Sequence, residues 1–173
     1  MLKRFAIPAS SLLCAAMSAV GASQPADING FHVGMQQEEF SARYLGFCYT
    51  QQTCERTHKA QFNYGGVTGA FLTATYDSTG GLDSAEFAFE AGGFDALKRT
   101  LLERYPDARC ADTGGIDFQG QHVPQVICRR ETATDGIYLL RVSGSVNRSL
   151  LFVASAAKRG DVAERLAAAA TSL

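Results

Sequence analysis

Residues 67–105 read VTGAFLTATYDSTGGLDSAEFAFEAGGFDALKRTLLERY, a β-hairpin followed at once by an amphipathic helix. Over 67–77 the residues alternate, with Leu72, Ala74 and Tyr76 on one face and Phe71, Thr73 and Thr75 on the other. β-Branched and aromatic side chains suit a half-buried pleated surface. Asp77-Ser78-Thr79-Gly80-Gly81 carries turn chemistry, because Asp and Ser bond nearby backbone and glycine tolerates positive φ. Over 82–90, Ala85, Phe87 and Phe89 share one face and Glu86 and Glu90 the other, which predicts an antiparallel strand with one face wet.

From Phe94 the period lengthens from two to about 3.6. Phe94, Leu97, Leu101, Leu102 and Tyr105 form an apolar stripe, and Asp95, Lys98, Arg99, Glu103 and Arg104 lie opposite. Asp95 in the first turn and Arg104 in the last complement the helix dipole, and Pro106 ends the helix. The spacing predicts that this helix lies across the sheet.

Beyond it, 111–120 reads as a glycine-rich loop holding Ile116 and Phe118, and 123–130 as a strand that Pro124 confines to an edge or begins. Residues 136–143 and 149–155 pair across a turn. Leu150-Leu151-Phe152-Val153-Ala154 is apolar on both faces, which predicts an interior strand covered on both sides. Asp161 reads as the cap of a last, alanine-rich helix, with Glu164 in capping-box spacing.

Working back from the hairpin, Asn63-Tyr64-Gly65-Gly66 supplies a turn, and 56–64 a strand leading into it. Met35 and Phe40 stand at staple positions around a helix capped by Gln36, with Gly46 as its stop. Residues 23–28 read as a mobile leader. The order is helix, cysteine, about three strands, then the same again, then a helix. It predicts an α+β class with antiparallel sheet and helices packed on one face. Two arrangements satisfy it: a tandem helix-plus-three-strand repeat, with halves 30–90 and 91–173, or a single sheet.

The first residues form a targeting segment. Lys3-Arg4 is a basic start, an apolar run follows, and Val20-Gly21-Ala22 offers compact residues for cleavage. The expectation is a signal peptide over 1–22 and a single mature domain over 23–173, periplasmic or secreted. Lys3 and Arg4 leave with the leader and no acid does, so the mature charge falls two below the −1 of the whole chain. Without a basic stripe, nothing marks a nucleic-acid binder, and Arg129-Arg130 reads as the solvated end of a strand. The mature chain has no segment apolar enough to span a membrane.

Cys48, Cys54, Cys110 and Cys128 remain after the leader is removed. An even count in an exported chain points to two disulfides. Three pairings are open, and the sequence-local one, Cys48–Cys54 with Cys110–Cys128, is favoured. No C-x-x-C pair or histidine spacing forms a metal signature among these cysteines and His32, His58 and His122. A Gly-x-Ser-x-Gly elbow is absent, and neither Gly92-Gly93 nor Gly114-Gly115 has the lysine and context of a phosphate loop. No catalytic residue, metal or cofactor is therefore expected.

Gly30-x-x-x-Gly34-Met35-Gln36-Gln37-Glu38-Glu39-Phe40 resembles the helix-opening motif of the small SmpA/OmlA-like outer-membrane assembly proteins, over about residues 30–46. Those pair two helices with a three-stranded antiparallel sheet. Gln36 stands where that motif usually has Ser or Thr. The doubled helix-plus-sheet order, with one disulfide per half, resembles the β-lactamase-inhibitory protein fold over most of the mature chain, in pattern rather than in residues. The first resemblance implies envelope assembly and the second inhibition.

These readings predict a non-catalytic, exported protein-binding module, acting in envelope assembly or as a scaffold. The alternatives are an inhibitor or immunity protein that plugs a periplasmic enzyme, and a small hydrolase. Tethered loops with aromatics are good recognition elements, because tethering lowers the ordering cost of binding. Tyr49, Tyr64 and Phe118 are the expected anchors for a protein partner.

Overall fold

The computed structural model describes residues 24–43, 47–48, 53–56, 62–89, 93–118, 121–142 and 148–171. In chain order these form β1 (Asp27–Ile28), β2 (Phe31–His32), α1 (Gln37–Arg43), β3 (Phe47–Cys48), β4 (Thr53–Arg56), β5 (Phe62–Tyr64), β6 (Val67–Tyr76) and β7 (Leu82–Phe89). Then come α2 (Phe94–Arg104), β8 (Arg109–Phe118), β9 (Gln121–Glu131), β10 (Asp135–Val142), β11 (Arg148–Ser155) and α3 (Arg159–Thr171), the last entered through the 3-10 turn Ala156–Lys158. The α+β class expected from the sequence is what forms.

One antiparallel sheet runs β3-β4-β6-β7-β11-β10-β9-β8, with β5 also paired to β6. Its order shows two like halves. Helix α1 leads into the meander β3-β4-β6-β7, and α2 leads into β8-β9-β10-β11. The last strands of the two meanders, β7 and β11, pair with each other, Phe87 opposite Leu151 and Glu86 opposite Phe152. The tandem arrangement and the single sheet are thus one structure. Each half contributes four sheet positions rather than three. Phe47–Cys48 is a strand, and 109–118 is a strand where a loop was expected.

That glycine-rich segment becomes β8 because it pairs with β9 along most of its length. A register shift between Asp112 and Gly115 takes up the extra residue, with Gly114 at φ +88° as a bulge allows. Pro124 sits opposite Gly115, beyond the 127–131 stretch of β9 that pairs with β10, so its missing N–H costs no ladder bond on that side. The expected strand over 56–64 is instead two, β4 and β5, both on β6 but at different registers.

Alternation in the central strands separates two apolar layers. Ile137, Leu139, Leu151 and Val153 face an inner core with Leu72, Phe87, Phe89 and the helix residues Phe40, Leu97 and Leu101. Phe40 packs edge-on against Phe31 and Tyr76, with centroids 5.4 and 6.0 Å apart. Tyr138, Leu140, Phe152 and Ala154 face the other way and pack with Val162 of α3. So α1 and α2 share one face, and α3 departs from the one-sided arrangement by covering the opposite one. Strand β11 is covered on both sides, as its unbroken apolar run required.

The reading of residues 24–28 is also corrected. Residues 24–28 do not form a loose leader, since Ala26 and Ile28 are fully buried. Ala26 N–H donates to Asp135 Oδ2 at 3.1 Å, and Asp27 N–H to Tyr105 Oη at 2.7 Å. Arg104 Nη2 pairs with Asp27 Oδ1 at 2.6 Å. At the other end, α3 starts before Asp161, because the 3-10 turn has already begun to coil the chain. Asp161 lies in its first turn and is held by Lys158 Nζ at 2.8 Å.

Candidate binding surface

The hairpin β6–β7 sets the register of a polar patch on the outer face of the first half. Asp77 fixes its turn: Oδ1 accepts from Thr79 N–H at 2.8 Å, from Thr79 Oγ1 at 2.7 Å and from Gly81 N–H at 3.1 Å. The hydroxyl of Thr79 and these amides hold the Asp77 carboxyl below its usual range. Gly80, at φ +82°, supplies the left-handed step. With the turn set, Thr75 stands opposite Ser84 and Thr73 opposite Glu86. Thr75 Oγ1 and Ser84 Oγ lie 2.6 Å apart and share a hydrogen bond.

On the far side of Glu86 the partner strand offers Phe152, and α3 passes above. Thr73, Thr75, Ser84, Glu86, Phe152 and the α3 side chains Asp161, Val162 and Arg165, with Lys158 at the rim, line a pocket of about 150 Å³. Glu86 is its most constrained charge. Its side chain is 13% exposed, and its counter-ion, Arg165 at 2.6 Å, is 62% exposed. Burial pushes the Glu86 carboxyl up, and Arg165 opposes this only partly. Glu86 Oε2 has no aligned hydrogen-bond donor among the described residues.

The expected anchors distribute differently. Tyr49 lies outside the described residues. Tyr64 is 3% exposed and belongs to the inner core, which removes it as an exposed anchor. The reason is strand parity. In β5, Phe62 and Tyr64 point inward and Asn63 outward, while Gly65 and Gly66, at φ +61° and +81°, form the actual turn. Burial raises the Tyr64 phenol to about 12, and its hydroxyl has no hydrogen-bond partner among the described residues. Phe118 closes β8 opposite Gln121, at the end of a strand rather than in a loop, and its side chain lies outside those described.

Cys110 and Cys128 stand in register on β8 and β9 and are bridged. Cys48 and Cys54 hold the equivalent in-register positions on β3 and β4, with side chains outside those described. His32 is half-buried with Nδ1 3.1 Å from Gly30 O. His58 and the His122 side chain are outside the described set. Among the described residues no group of three His, Cys, Asp or Glu could hold a metal ion.

Two residues escaped the sequence reading. Arg130 is not a solvated strand end. It is 4% exposed, with Nε bonded to Asp107 at 3.0 and 2.9 Å and its guanidinium 4.9 Å from the Tyr105 ring centroid. Counting by twos from Cys128 would have placed it on the inner face. Glu86 reads as a wet-face residue by parity, and only the return of α3 over that face, not visible in the local sequence, buries it. Among the described residues no helix is long and apolar enough to cross a membrane. Compared with known proteins, the chain matches no family model, no curated protein and no solved structure.

Proposed function

We propose that this is an exported, non-catalytic protein-binding module that works in the bacterial envelope after losing residues 1–22. The observation that carries the reading is the outer face of the first half. There, strands rather than loops hold Thr73, Thr75, Ser84 and Glu86 in fixed register beside α3. A surface built on strands loses little freedom on binding, so its contacts convert efficiently into affinity. The bridged Cys110–Cys128 pair agrees with an oxidising compartment. The partner under this reading is a protein of the envelope machinery.

A second reading is the inhibitor role that the sequence resemblance implies, and the doubled helix-plus-meander order joined through β7 and β11 is compatible with it. On that reading the partner is a soluble enzyme. Immobilised mature chain, exposed to an envelope extract, separates the two. Recovery of outer-membrane assembly proteins supports the scaffold role, and recovery of one soluble enzyme with loss of its activity supports inhibition. Thr75→Arg places a bulky charge on the face and should abolish either capture. Undiminished capture by a folded Thr75→Arg variant would move the binding face elsewhere.

A further inference from the structure

In the pocket beside α3, the fixed and the movable charges differ in sign. What the strands hold rigidly is Glu86 and the hydroxyls of Thr73, Thr75 and Ser84. What reaches over them from the C-terminal segment is a pair of long cationic side chains, Lys158 and Arg165. Lys158 is already engaged by Asp161 at 2.8 Å. Arg165 is mostly exposed, and its 2.6 Å approach to Glu86 lacks hydrogen-bond alignment. A long, solvated side chain holds an ion pair weakly, because ordering it costs entropy and water competes. A buried carboxylate oxygen without an aligned donor carries an unmet desolvation cost. The replaceable part of this site is therefore its cation.

The geometry points to the pocket as a receptor for a guanidinium or ammonium group, which takes the place of Arg165 on Glu86. The pocket, of about 150 Å³, exceeds several-fold the roughly 10–15 Å³ that admits one water, which leaves room for such a head group. The Thr75 and Ser84 hydroxyls keep lone pairs beyond the one hydrogen bond they share and accept the N–H groups that Glu86 does not. A guanidinium suits the site best, since its planar fork meets a carboxylate with two parallel hydrogen bonds. An anion meets the immobile Glu86 charge and is rejected. The inference rests on the protein-binding reading only for the source of the cation, an arginine or lysine side chain of the partner.

Backbone amide NMR of the folded chain, titrated with methylguanidinium chloride against sodium chloride at equal ionic strength, tests it. Saturable shifts are expected at Thr75, Ser84 and Glu86. Glu86→Gln should weaken binding at least tenfold, and Arg165→Ala, which removes a weakly held internal competitor, should tighten it by about twofold to fivefold. Opposite signs in the two variants exclude a folding defect as the cause. A blocked Gly-Arg-Gly peptide that binds more tightly than methylguanidinium identifies a protein side chain as the source, and equal binding identifies a small cation. Unchanged affinity in either variant, or saturable shifts confined to another surface, overturns the proposal. Methylguanidinium binding with no protein captured would sink the protein-binding reading and leave the pocket standing. Protein capture indifferent to Glu86→Gln, with no methylguanidinium binding, would do the reverse.

Discussion

The two halves of the sheet share a topology and differ in what lies on their outer face. In the second half that face is apolar, with Tyr138, Leu140, Phe152 and Ala154, and α3 covers it. In the first half it carries Thr73, Thr75, Ser84 and Glu86. The inner faces do not differ in this way, since α1 and α2 both pack into one core. The apolar burial is thus concentrated in the shared inner layer and under α3, while the outer patch of the first half is polar. An outer face that contributes little to the core can change its chemistry without unfolding the sheet.

The largest effects test the shared core. Phe40→Ala in α1 should cost about 3–5 kcal/mol and Leu101→Ala in α2 about 2–5 kcal/mol, because both side chains are fully buried. Each should lower one common unfolding transition in calorimetry. Two separate transitions, each sensitive to one substitution, would break the comparison by showing independent halves.

Next in size is the bridge. Removing Cys110–Cys128 by paired serines should cost about 3 kcal/mol on the chain-entropy account of loop closure. The register of Cys48 and Cys54 proposes a matching bridge across a much shorter loop, which should matter less. Non-reducing peptide mapping checks the pairing, and a peptide joining the first two cysteines to the last two would refute it.

The outer faces come third. Val162→Ala trims the buried contact of α3 and should cost about 1–2 kcal/mol. Thr75→Ala, on the first half, should cost only about 0.5–1 kcal/mol. Urea denaturation compares them, and a larger loss at Thr75 would assign the polar patch a structural role.

The smallest effect is a pH slope at Glu86. Burial holds its folded pKa above the unfolded value. The folded chain therefore binds that proton more tightly, and the contribution favours folding below the unfolded pKa of about 4.3. It is lost as pH rises through the folded value. Glu86→Gln removes it, so the stability of wild type relative to the variant should fall from about pH 4 towards pH 7. A difference that rises over that range would mean that Arg165 outweighs desolvation.

Most of the fold was legible because parity and period are local. The hairpin, α2, the two-faced β11 and the bridge at Cys110 follow from alternation, an apolar stripe and an even cysteine count. Tyr64 was misread for a local reason, because the turn is Gly65-Gly66 and the tyrosine is the last inward residue of β5. The burial of Ala26 and Ile28 was not legible at all. Ala26 and Asp27 are fixed by Asp135, Arg104 and Tyr105, partners far away in sequence. Glu86 belongs to the same class, since its burial depends on a helix that returns some 80 residues later. The candidate site was therefore the least readable part, being assembled from elements that only topology brings together.

The pairing of β7 with β11 also orders events in time. A growing polypeptide completes β7 at Phe89, but its neighbour on the central seam begins only at Arg148. Throughout that interval the nascent first half presents β7 as an open edge, with backbone groups ready to accept a strand from any other chain. The seam closes only after β11 has been delivered, and a pairing of such long range is expected to form slowly. A chain truncated before β11 would keep that edge permanently and would be expected to aggregate rather than to persist as half a domain.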